Sequence, residues 1–456
     1  MPRNLPRAES VHVALRACAV AALGFAAAVR AEPLQWSADL AAGYEHTDNL
    51  NRSEQSPESA GFATGTARFG LLDRTRTLYA DMEAVGNWYD FPSGSTGQDF
   101  RPAVDGFFEW VPVPERFMWR LSDNYGEIAP NSNGALAPAG IERLNVLSTG
   151  PDLRLPISAD NTFIAEARYS RADYQVSPSD NHRLSGQVGI AHELENTALL
   201  SFDVAHGRTS SDSGGPSYDI SSLFANYLVV GRRGGIDASV GVSKLKSNTD
   251  SPTGAFADIR LEHDLSASTS LSMDLVHRFG DAAGAFARRQ DLDTDIGNIA
   301  NVQASGVALR ETAADVGLGF SGRRTVAGLS VAYYNEREYG TGVSATSRHG
   351  TDLLGSFEFT LRPDFVFGGE AIQRFWDDTV SSGARGTELR GYLTWQFFRS
   401  LGLTLAAERY EQSHTIANYT ETRYYATLAW RLSRGEVTRV RPGFDTAARR
   451  RFQYER

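Results

Sequence analysis

Cysteine is almost absent from this sequence, which contains a single one, Cys18. Cys18 lies within an apolar N-terminal run, so removing that run as a secretory signal leaves a chain without thiols. Such a chain has no disulfide, no thiolate nucleophile and no cysteine-based metal site. A lipoprotein signal would place its apolar run before the cysteine, whereas here the run follows it.

Long apolar segments are absent as well. After Ala31 no stretch reaches the roughly eighteen apolar residues of a membrane-spanning helix, and the mean hydropathy is −0.33. A helical membrane protein is therefore excluded. A transmembrane β-barrel is not excluded, because its strands alternate between apolar and polar faces and average out as mildly polar.

The first 31 residues have the organisation of a signal peptide. Arg3, Arg7 and Arg16 supply its positive region, and the apolar run over residues 17–29 has the length of a signal core. The small residues Val29 and Ala31 predict cleavage after Ala31. We therefore expect an exported protein.

Charge is unevenly distributed along the chain. The whole chain carries −10 at pH 7, but residues 1–31 and 434–456 are basic, so the segment between them carries −17. A surface that negative binds nucleic acid poorly, and no nucleic-acid partner is expected. Residues 434–456 form a basic periplasmic tail in this interpretation, either solvated and disordered or docked on a periplasmic partner or peptidoglycan.

From Gln35 to Ser433 the sequence repeats units of about ten residues in which apolar and polar side chains alternate. In residues 162–169, Phe163 and Ala165 share one face while Glu166 and Arg168 share the other. The same alternation recurs in residues 389–397 and 423–432. A period of two residues predicts β-strands throughout this segment.

The connectors between these units alternate between short turns and longer polar loops. Turns occur near residues 73–75, 112–114, 195–196, 232–234, 322–323, 361–363 and 399–400, with longer loops between them. This asymmetry is typical of outer-membrane barrels, whose short turns are periplasmic. We predict an all-β, transmembrane, antiparallel up-and-down barrel of about 18–20 strands over residues 32–433, with both termini in the periplasm. A soluble β-sandwich or propeller is the alternative, although strands this long are unusual there.

Aromatic residues cluster near the predicted strand ends, as expected for girdles at the two membrane interfaces. One group lies beside the short turns: Trp36, Trp110, Phe117, Trp119, Phe397, Phe398 and Trp430. The other lies beside the long loops: Trp88, Tyr89, Phe91, Tyr169, Tyr174, Tyr339, Trp376 and Tyr410. Two girdles are therefore predicted.

The less apolar face of each strand is expected to line a lumen that contains water, because so many charges could not lie unpaired in a dry core. These charges either form cross-strand pairs that hold the wall together or serve transport. Inward tyrosines either stack on sugar rings or are ordinary wall residues. The lumen-lining candidates are Glu166, Arg168, Asp258, Arg260, Glu262, Glu370, Arg374, Arg390, Glu408, Tyr392, Tyr410 and Tyr425.

The longest connector spans residues 281–307, and its alanine-rich first part, residues 282–289, is predicted to form a short helix. This helix either folds into the barrel mouth as a constriction or lies on an exposed loop. Asp291, Asp293 and Asp295 alternate in the same connector like calcium ligands, but the glycine and glutamate spacing of a calcium loop is missing. We predict no metal site and no cofactor.

Catalytic motifs are weak. His206 lies near Ser210 and Ser211, and His182 follows Asp180, which permits a Ser–His arrangement at the extracellular rim. No nucleophile elbow, paired-histidine motif or phosphate-binding glycine loop accompanies them. The chain is therefore not expected to be an enzyme.

The opening segment from Gly43 to Leu50, with its Tyr44-x-x-x-Asp48-Asn49 element, resembles the β-barrel porin 2 family. Residues 362–364 (Arg-Pro-Asp) and 373–378 (Gln-Arg-Phe-Trp-Asp-Asp) are similar to that family too. The resemblance implies an outer-membrane step in secreting or assembling an exopolysaccharide, beside a periplasmic export component. Outer-membrane lipid and lipopolysaccharide are further expected partners.

The sequence is compatible with three functions. The first is a conduit for exopolysaccharide export, and the second is a non-conducting barrel that anchors a polysaccharide or surface-polymer system. The third is a general diffusion porin. A TonB-dependent transporter is disfavoured because no globular plug precedes the first predicted strand.

Overall fold

A computed structural model of the chain describes residues 34–91, 98–128, 142–177, 179–195, 197–212, 216–289, 307–339, 347–378, 383–413 and 418–434. The predicted signal peptide and C-terminal tail lie outside these residues, apart from Arg434, where the last strand ends. The described part consists of strands and one short helix, α1, which spans Ala282–Arg289. No helix in these ranges is long and apolar enough to cross a membrane.

The described residues form twenty strands. Their bounds are β1 Gln35–Thr47, β2 Ala60–Arg74, β3 Leu78–Asp90, β4 Gln98–Val113, β5 Phe117–Ile128, β6 Glu142–Pro156, β7 Asn161–Tyr174, β8 Asn181–Glu195, β9 Ala198–Ser211, β10 Tyr218–Gly231, β11 Gly234–Ser247, β12 Thr253–Asp264, β13 Thr269–Gly280, β14 Ala308–Ser321, β15 Thr325–Tyr339, β16 Ser347–Arg362, β17 Phe365–Asp378, β18 Ala384–Phe398, β19 Leu401–Ser413 and β20 Tyr419–Arg434.

Each strand pairs antiparallel with the next, and the sheet closes on itself. β1 pairs with β2 on one side and with β20 on the other, where the register runs from Trp36 opposite Arg434 to Thr47 opposite Arg423. Closure leaves no free edge, so the backbone polar groups of the wall are satisfied without water. The predicted all-β, up-and-down barrel is confirmed, with twenty strands in the described residues.

The connectors differ between the two ends of the barrel. At one end they have two to four residues, as between Arg74 and Leu78, and at the other they have five or more, up to the segment between Gly280 and Ala308. The end with long connectors is the extracellular end in barrels of this kind. Both β1 and β20 therefore have their outer chain ends on the periplasmic side.

Strand alternation gives the wall an apolar outer face. Most of the exposed large apolar side chains lie at every second position of a strand, as with Phe202 and Val204 on β9 or Val240 and Val242 on β11. Exposed apolar bands around a closed barrel are energetically favourable only in contact with lipid. The molecule is an outer-membrane β-barrel.

The periplasmic girdle has the predicted character, since Trp110, Trp119 and Trp430 are each at least 40 % exposed on the outer face. The prediction of an extracellular aromatic girdle was partly wrong. Tyr169 faces outward, whereas the buried members of that group point into the barrel: Tyr89, Phe91, Tyr174 and Tyr410. Strand alternation turns these side chains inward, and chain segments that fold into the mouth bury them.

The two-residue turn between β10 and β11 requires a glycine at position 234. Gly234 has a φ of 142°, and a Cβ atom there would lie 2.0 Å from the carbonyl oxygen of Glu262. We expect Gly234→Ala to reduce the yield of folded barrel strongly, measured as the heat-modifiable band on a gel. Gly391→Ala is the control, because a Cβ at Gly391 meets nothing within 4 Å and should leave the yield unchanged.

Candidate functional site

The inward face of the barrel wall is the candidate site. It is identified by the cross-strand register, since directly paired residues share a face. All twelve lumen-lining candidates occupy inward positions: Glu166 and Arg168 on β7; Asp258, Arg260 and Glu262 on β12; Glu370 and Arg374 on β17; Arg390 and Tyr392 on β18; Glu408 and Tyr410 on β19; Tyr425 on β20.

On β4 to β7 the inward charges form a continuous row of ion pairs. Arg120 contacts Glu109 and Asp152, each at 2.8 Å, and Arg168 contacts Asp152 as well. Arg168 also lies 3.7 Å from Glu166. The Glu109 and Asp152 side chains are 1 % exposed. Buried carboxylates of this kind remain charged only when paired, so the row holds these strands together.

Between β12 and β13 two inward ion pairs are open to the lumen. Arg260 contacts Asp274 at 3.1 Å, with both side chains about 40 % exposed, and Arg278 contacts Asp258 at 3.2 Å. Exposed ion pairs of this kind contribute little to stability. Their exposure on the inner face places water against this part of the wall.

The candidates on β17 to β20 form a third group. Arg390 lies 3.9 Å from Glu370, and its guanidinium lies over the ring of Tyr425 at 5.5 Å. The Tyr392 hydroxyl donates a hydrogen bond to Glu358 at 3.0 Å. These tyrosines therefore have charged protein neighbours and present the remainder of each ring to the lumen.

The helix α1 lies inside the extracellular mouth. Ala282, Ala285 and Phe286 are at most 1 % exposed. They form one apolar cluster with inward residues of β5, β6 and β7: Ile128, Leu144, Val146, Ala172 and Tyr174. The sequence left open whether this helix folds into the barrel mouth or lies on an exposed loop. In the described part of the connector, it folds into the mouth. Because α1 follows β13 and packs on β5 to β7, it crosses from one part of the wall to another.

Asp281 fixes the start of α1. One of its oxygens accepts a hydrogen bond from the backbone amide of Gly284 at 2.6 Å, as an N-cap does. The other accepts a hydrogen bond from the hydroxyl of Tyr218 on β10 at 2.9 Å and lies 3.8 Å from Arg183 on β8. The helix is thus anchored to two strands at its start and packed against three others along its length.

The loop between β1 and β2 also folds inward. Its Arg52 makes the main contacts with the barrel wall. The Arg52 side chain is 1 % exposed and pairs with Glu421 on β20 at 2.8 Å. Its guanidinium lies over the rings of Tyr410 and Tyr419, at 5.1 and 5.8 Å. Burial by itself lowers the pKa of Arg52, but the adjacent Tyr419 and Glu421 outweigh it and raise the pKa above its ordinary value.

Glu421 is the centre of what we call the seam cluster, formed by Thr47, Arg52, Glu421 and Arg423. Its two oxygens accept hydrogen bonds from Thr47 at 2.8 Å, from Arg52 at 2.8 Å and from Arg423 at 2.6 Å. Thr47 ends β1, and Arg423 is its partner on β20. The cluster therefore joins the first strand, the first loop and the last strand.

The Asp48-Asn49 pair singled out in the sequence extends this seam above the last paired residues. The Asp48 side chain accepts a hydrogen bond from the Thr422 amide at 2.7 Å, and the Asn49 side chain donates one to the Thr420 carbonyl at 2.9 Å. Tyr44 of the same element faces outward and is 58 % exposed. The element thus combines a membrane-facing aromatic with two side chains that add hydrogen bonds to the backbone of β20 at the barrel closure.

Sequence reasoning missed Asp281, Tyr218 and Arg52. Asp281 carried a usable signal, because an aspartate directly before an alanine-rich segment is a common N-cap. Tyr218 and Arg52 carried none, since their partners lie 63 and 369 residues away in the chain.

Among the described residues, His206 does not contact Ser210 or Ser211, the serines near it in the sequence. His206 faces outward and its Nδ1 lies 2.9 Å from the hydroxyl of Ser221, while His182 pairs with Asp212 at 2.8 Å. Asp291, Asp293 and Asp295 lie outside the described residues, and within the described ones no three acidic or histidine side chains form a metal site.

No family model matches the chain, and no curated protein matches it. Solved structures similar to it include the siderophore receptor PirA from Pseudomonas aeruginosa, with 12 % identity over 89 % of this chain and 81 % of the receptor, at a TM-score of 0.44. The outer membrane protein OpdK from Pseudomonas aeruginosa has 9 % identity over 88 % and 99 %, at a TM-score of 0.35. The FrpB iron transporter from Neisseria meningitidis has 8 % identity over 87 % and 81 %, at 0.42.

Proposed function

We propose that the barrel is a gated conduit for export of an extracellular polysaccharide. The observation that carries this proposal is the position of α1, which is buried inside the extracellular mouth and anchored there by Asp281. A helix placed across a mouth whose lower wall is charged and wet can close a water-filled path. The resemblance of the Tyr44 to Asn49 element to the β-barrel porin 2 family supports a polysaccharide as the cargo.

The charge of the wall restricts the kind of polymer. The segment between the signal and the tail carries −17 in total, so we expect the wall not to attract a polyanion strongly and to accept a neutral or weakly charged chain more readily. Tyr392 and Tyr425 present ring surface on the inner wall, on which sugar rings can stack. A neutral polysaccharide is therefore the proposed cargo, supplied from the periplasm by a separate export component.

The test is single-channel conductance of the refolded barrel in a planar bilayer. The wild type is compared with a variant in which Ala282–Arg289 is replaced by a Gly-Ser linker of equal length, which removes the packing of α1 but keeps the connector. We expect little or no conductance from the wild type and a large, steady conductance from the variant. In the variant, a neutral dextran should block the current more effectively than dextran sulfate of the same length.

The other outcomes distinguish the alternative functions. A large conductance in both proteins would contradict gating and indicate a general diffusion porin. Silence in both would indicate the non-conducting scaffold, for which residues 434–456 are the proposed docking element. Equal block by dextran and dextran sulfate would contradict the preference for a neutral polymer while leaving the conduit intact.

A further inference from the structure

The chain has 45 basic residues, of which two are lysines, and both lysines lie on one strand. Lys244 and Lys246 occupy the extracellular end of β11 and are exposed on its outer face. Directly below them on the same face lie Val242 and Val240, each about half exposed. The lysines are thus the first outward side chains above the apolar band of this strand.

The neighbouring strands add a third cation at the same level. Lys246 is opposite Asp219 on β10, and Asp219 is opposite Arg208 on β9. The Arg208 Nε lies 4.0 Å from Asp219, and its side chain is 69 % exposed. We call these four residues the lysine patch. It holds three cations and one acid across three adjacent strands, on the outside of a barrel whose central segment is strongly negative.

The level of the patch determines what it contacts. On β9 the outward residues Phe202 and Val204 are exposed and apolar, and Arg208 lies above them toward the extracellular end. The patch therefore begins where the hydrocarbon region ends, which is the level of lipid headgroups. Lysine side chains at that level extend toward the headgroups and attract anionic ones. In a Gram-negative outer membrane, the anionic headgroups of the outer leaflet are the phosphorylated sugars of lipopolysaccharide.

We propose that the lysine patch binds the phosphate groups of lipopolysaccharide. Residues two apart on a strand are separated by about 7 Å, and cross-strand neighbours by about 5 Å. The ammonium groups of Lys244 and Lys246 and the guanidinium of Arg208 can therefore converge on one phosphorylated headgroup. Asp219 stays beside Arg208 and orients it. The patch faces away from the lumen, so this site is separate from the proposed polymer path.

The scarcity of lysine gives a direct spectroscopic test. Reductive methylation with ¹³C-formaldehyde labels Lys244, Lys246 and the chain's α-amine, and it leaves the lysine charge in place. The labelled barrel, in phosphatidylcholine nanodiscs, is titrated with lipid A and with the same lipid A after removal of its phosphates. We expect both lysine resonances to shift with phosphorylated lipid A and to stay in place with the dephosphorylated form.

Two results of this titration would overturn the proposal. One is the absence of a shift with lipid A, and the other is an equal shift with both lipids, which would mean contact without phosphate recognition. Inorganic phosphate is the third probe. A full shift with inorganic phosphate at the concentration used for lipid A would identify a simple anion site and would also count against lipopolysaccharide.

Variants test the same site on protein extracted from outer membranes. In K244Q/K246Q, the amount of lipopolysaccharide that copurifies with each barrel should fall several-fold, whereas K244R/K246R should retain it. The matched control is R323Q/R324Q, which removes the same two charges from the exposed periplasmic turn between β14 and β15. Equal lipopolysaccharide in K244Q/K246Q and in this control would refute the proposal, and heat-modifiability confirms that each variant is folded.

Discussion

Replacing Glu421 by alanine is expected to lower the free energy of unfolding of the barrel by about 3–5 kcal/mol. The Glu421 side chain is completely buried, and it accepts hydrogen bonds from Thr47, Arg52 and Arg423. Alanine leaves two buried guanidinium groups without the carboxylate between them, and a buried charge without its partner is costly. Urea unfolding of the barrel refolded in vesicles, followed by tryptophan fluorescence, measures the change.

The control for this variant is Glu411→Ala. Glu411 lies near the same end of the barrel on β19, faces outward and is exposed, so its loss removes the same charge without opening a buried cluster. Its effect should stay within about 0.5 kcal/mol. Equal unfolding free energies for the two variants would contradict a stabilising role for the seam cluster.

The seam cluster also has a consequence for folding. Thr47 and Glu421 are separated by 374 residues in sequence, so their contact forms only when the first and last strands meet. Contacts at such a separation carry the largest loop-closure cost in a chain. Glu421→Ala should therefore slow the appearance of the closed, heat-modifiable barrel, in addition to destabilising it.

The strands could be predicted because their alternation is a local property. On β7, Phe163 and Ala165 face lipid while Glu166 and Arg168 face the lumen, and this can be read from eight consecutive residues. The helix over Ala282–Arg289 could be predicted for the same reason, because the alanine-rich composition of the segment itself favours a helix. The predicted range of 18–20 strands includes the observed twenty. Two short turns, 157–160 and 265–268, were not identified, because they contain no glycine and mix polar with apolar residues.

The extracellular mouth could not be predicted from the sequence, because its order comes from distant partners. Tyr89, Phe91 and Tyr174 have the composition and position of girdle residues, yet Tyr89 and Phe91 cluster with Leu50 and Phe62, and Tyr174 packs on α1. An aromatic ring near a strand end can be buried equally well against lipid or against a segment that folds into the lumen. Only the location of the covering segment decides between them.

The second large effect is expected from Phe286→Asp, which should open the conduit. Phe286 is 1 % exposed, and its neighbours in the mouth are Ile128, Leu144, Val146 and Tyr174. A carboxylate in that apolar cluster costs several kcal/mol, more than the roughly 2–3 kcal/mol that burial of the phenyl ring provides. Since each 1.4 kcal/mol changes an equilibrium about tenfold, a penalty of this size shifts the helix from mostly seated to mostly released.

The measurement is the open probability of single channels, with Val176→Asp as the matched control. Val176 is 76 % exposed in the loop after β7, so aspartate there adds the same charge at the same end of the barrel without entering the cluster. Phe286→Leu should keep the channel closed, because it retains an apolar side chain in the cluster. Channels of Phe286→Asp that open no more often than those of Val176→Asp would show that the apolar seat of α1 does not control the path. Since α1 reaches this seat from β13, an opening confined to Phe286→Asp would place the gate in the packing of one short helix against three strands.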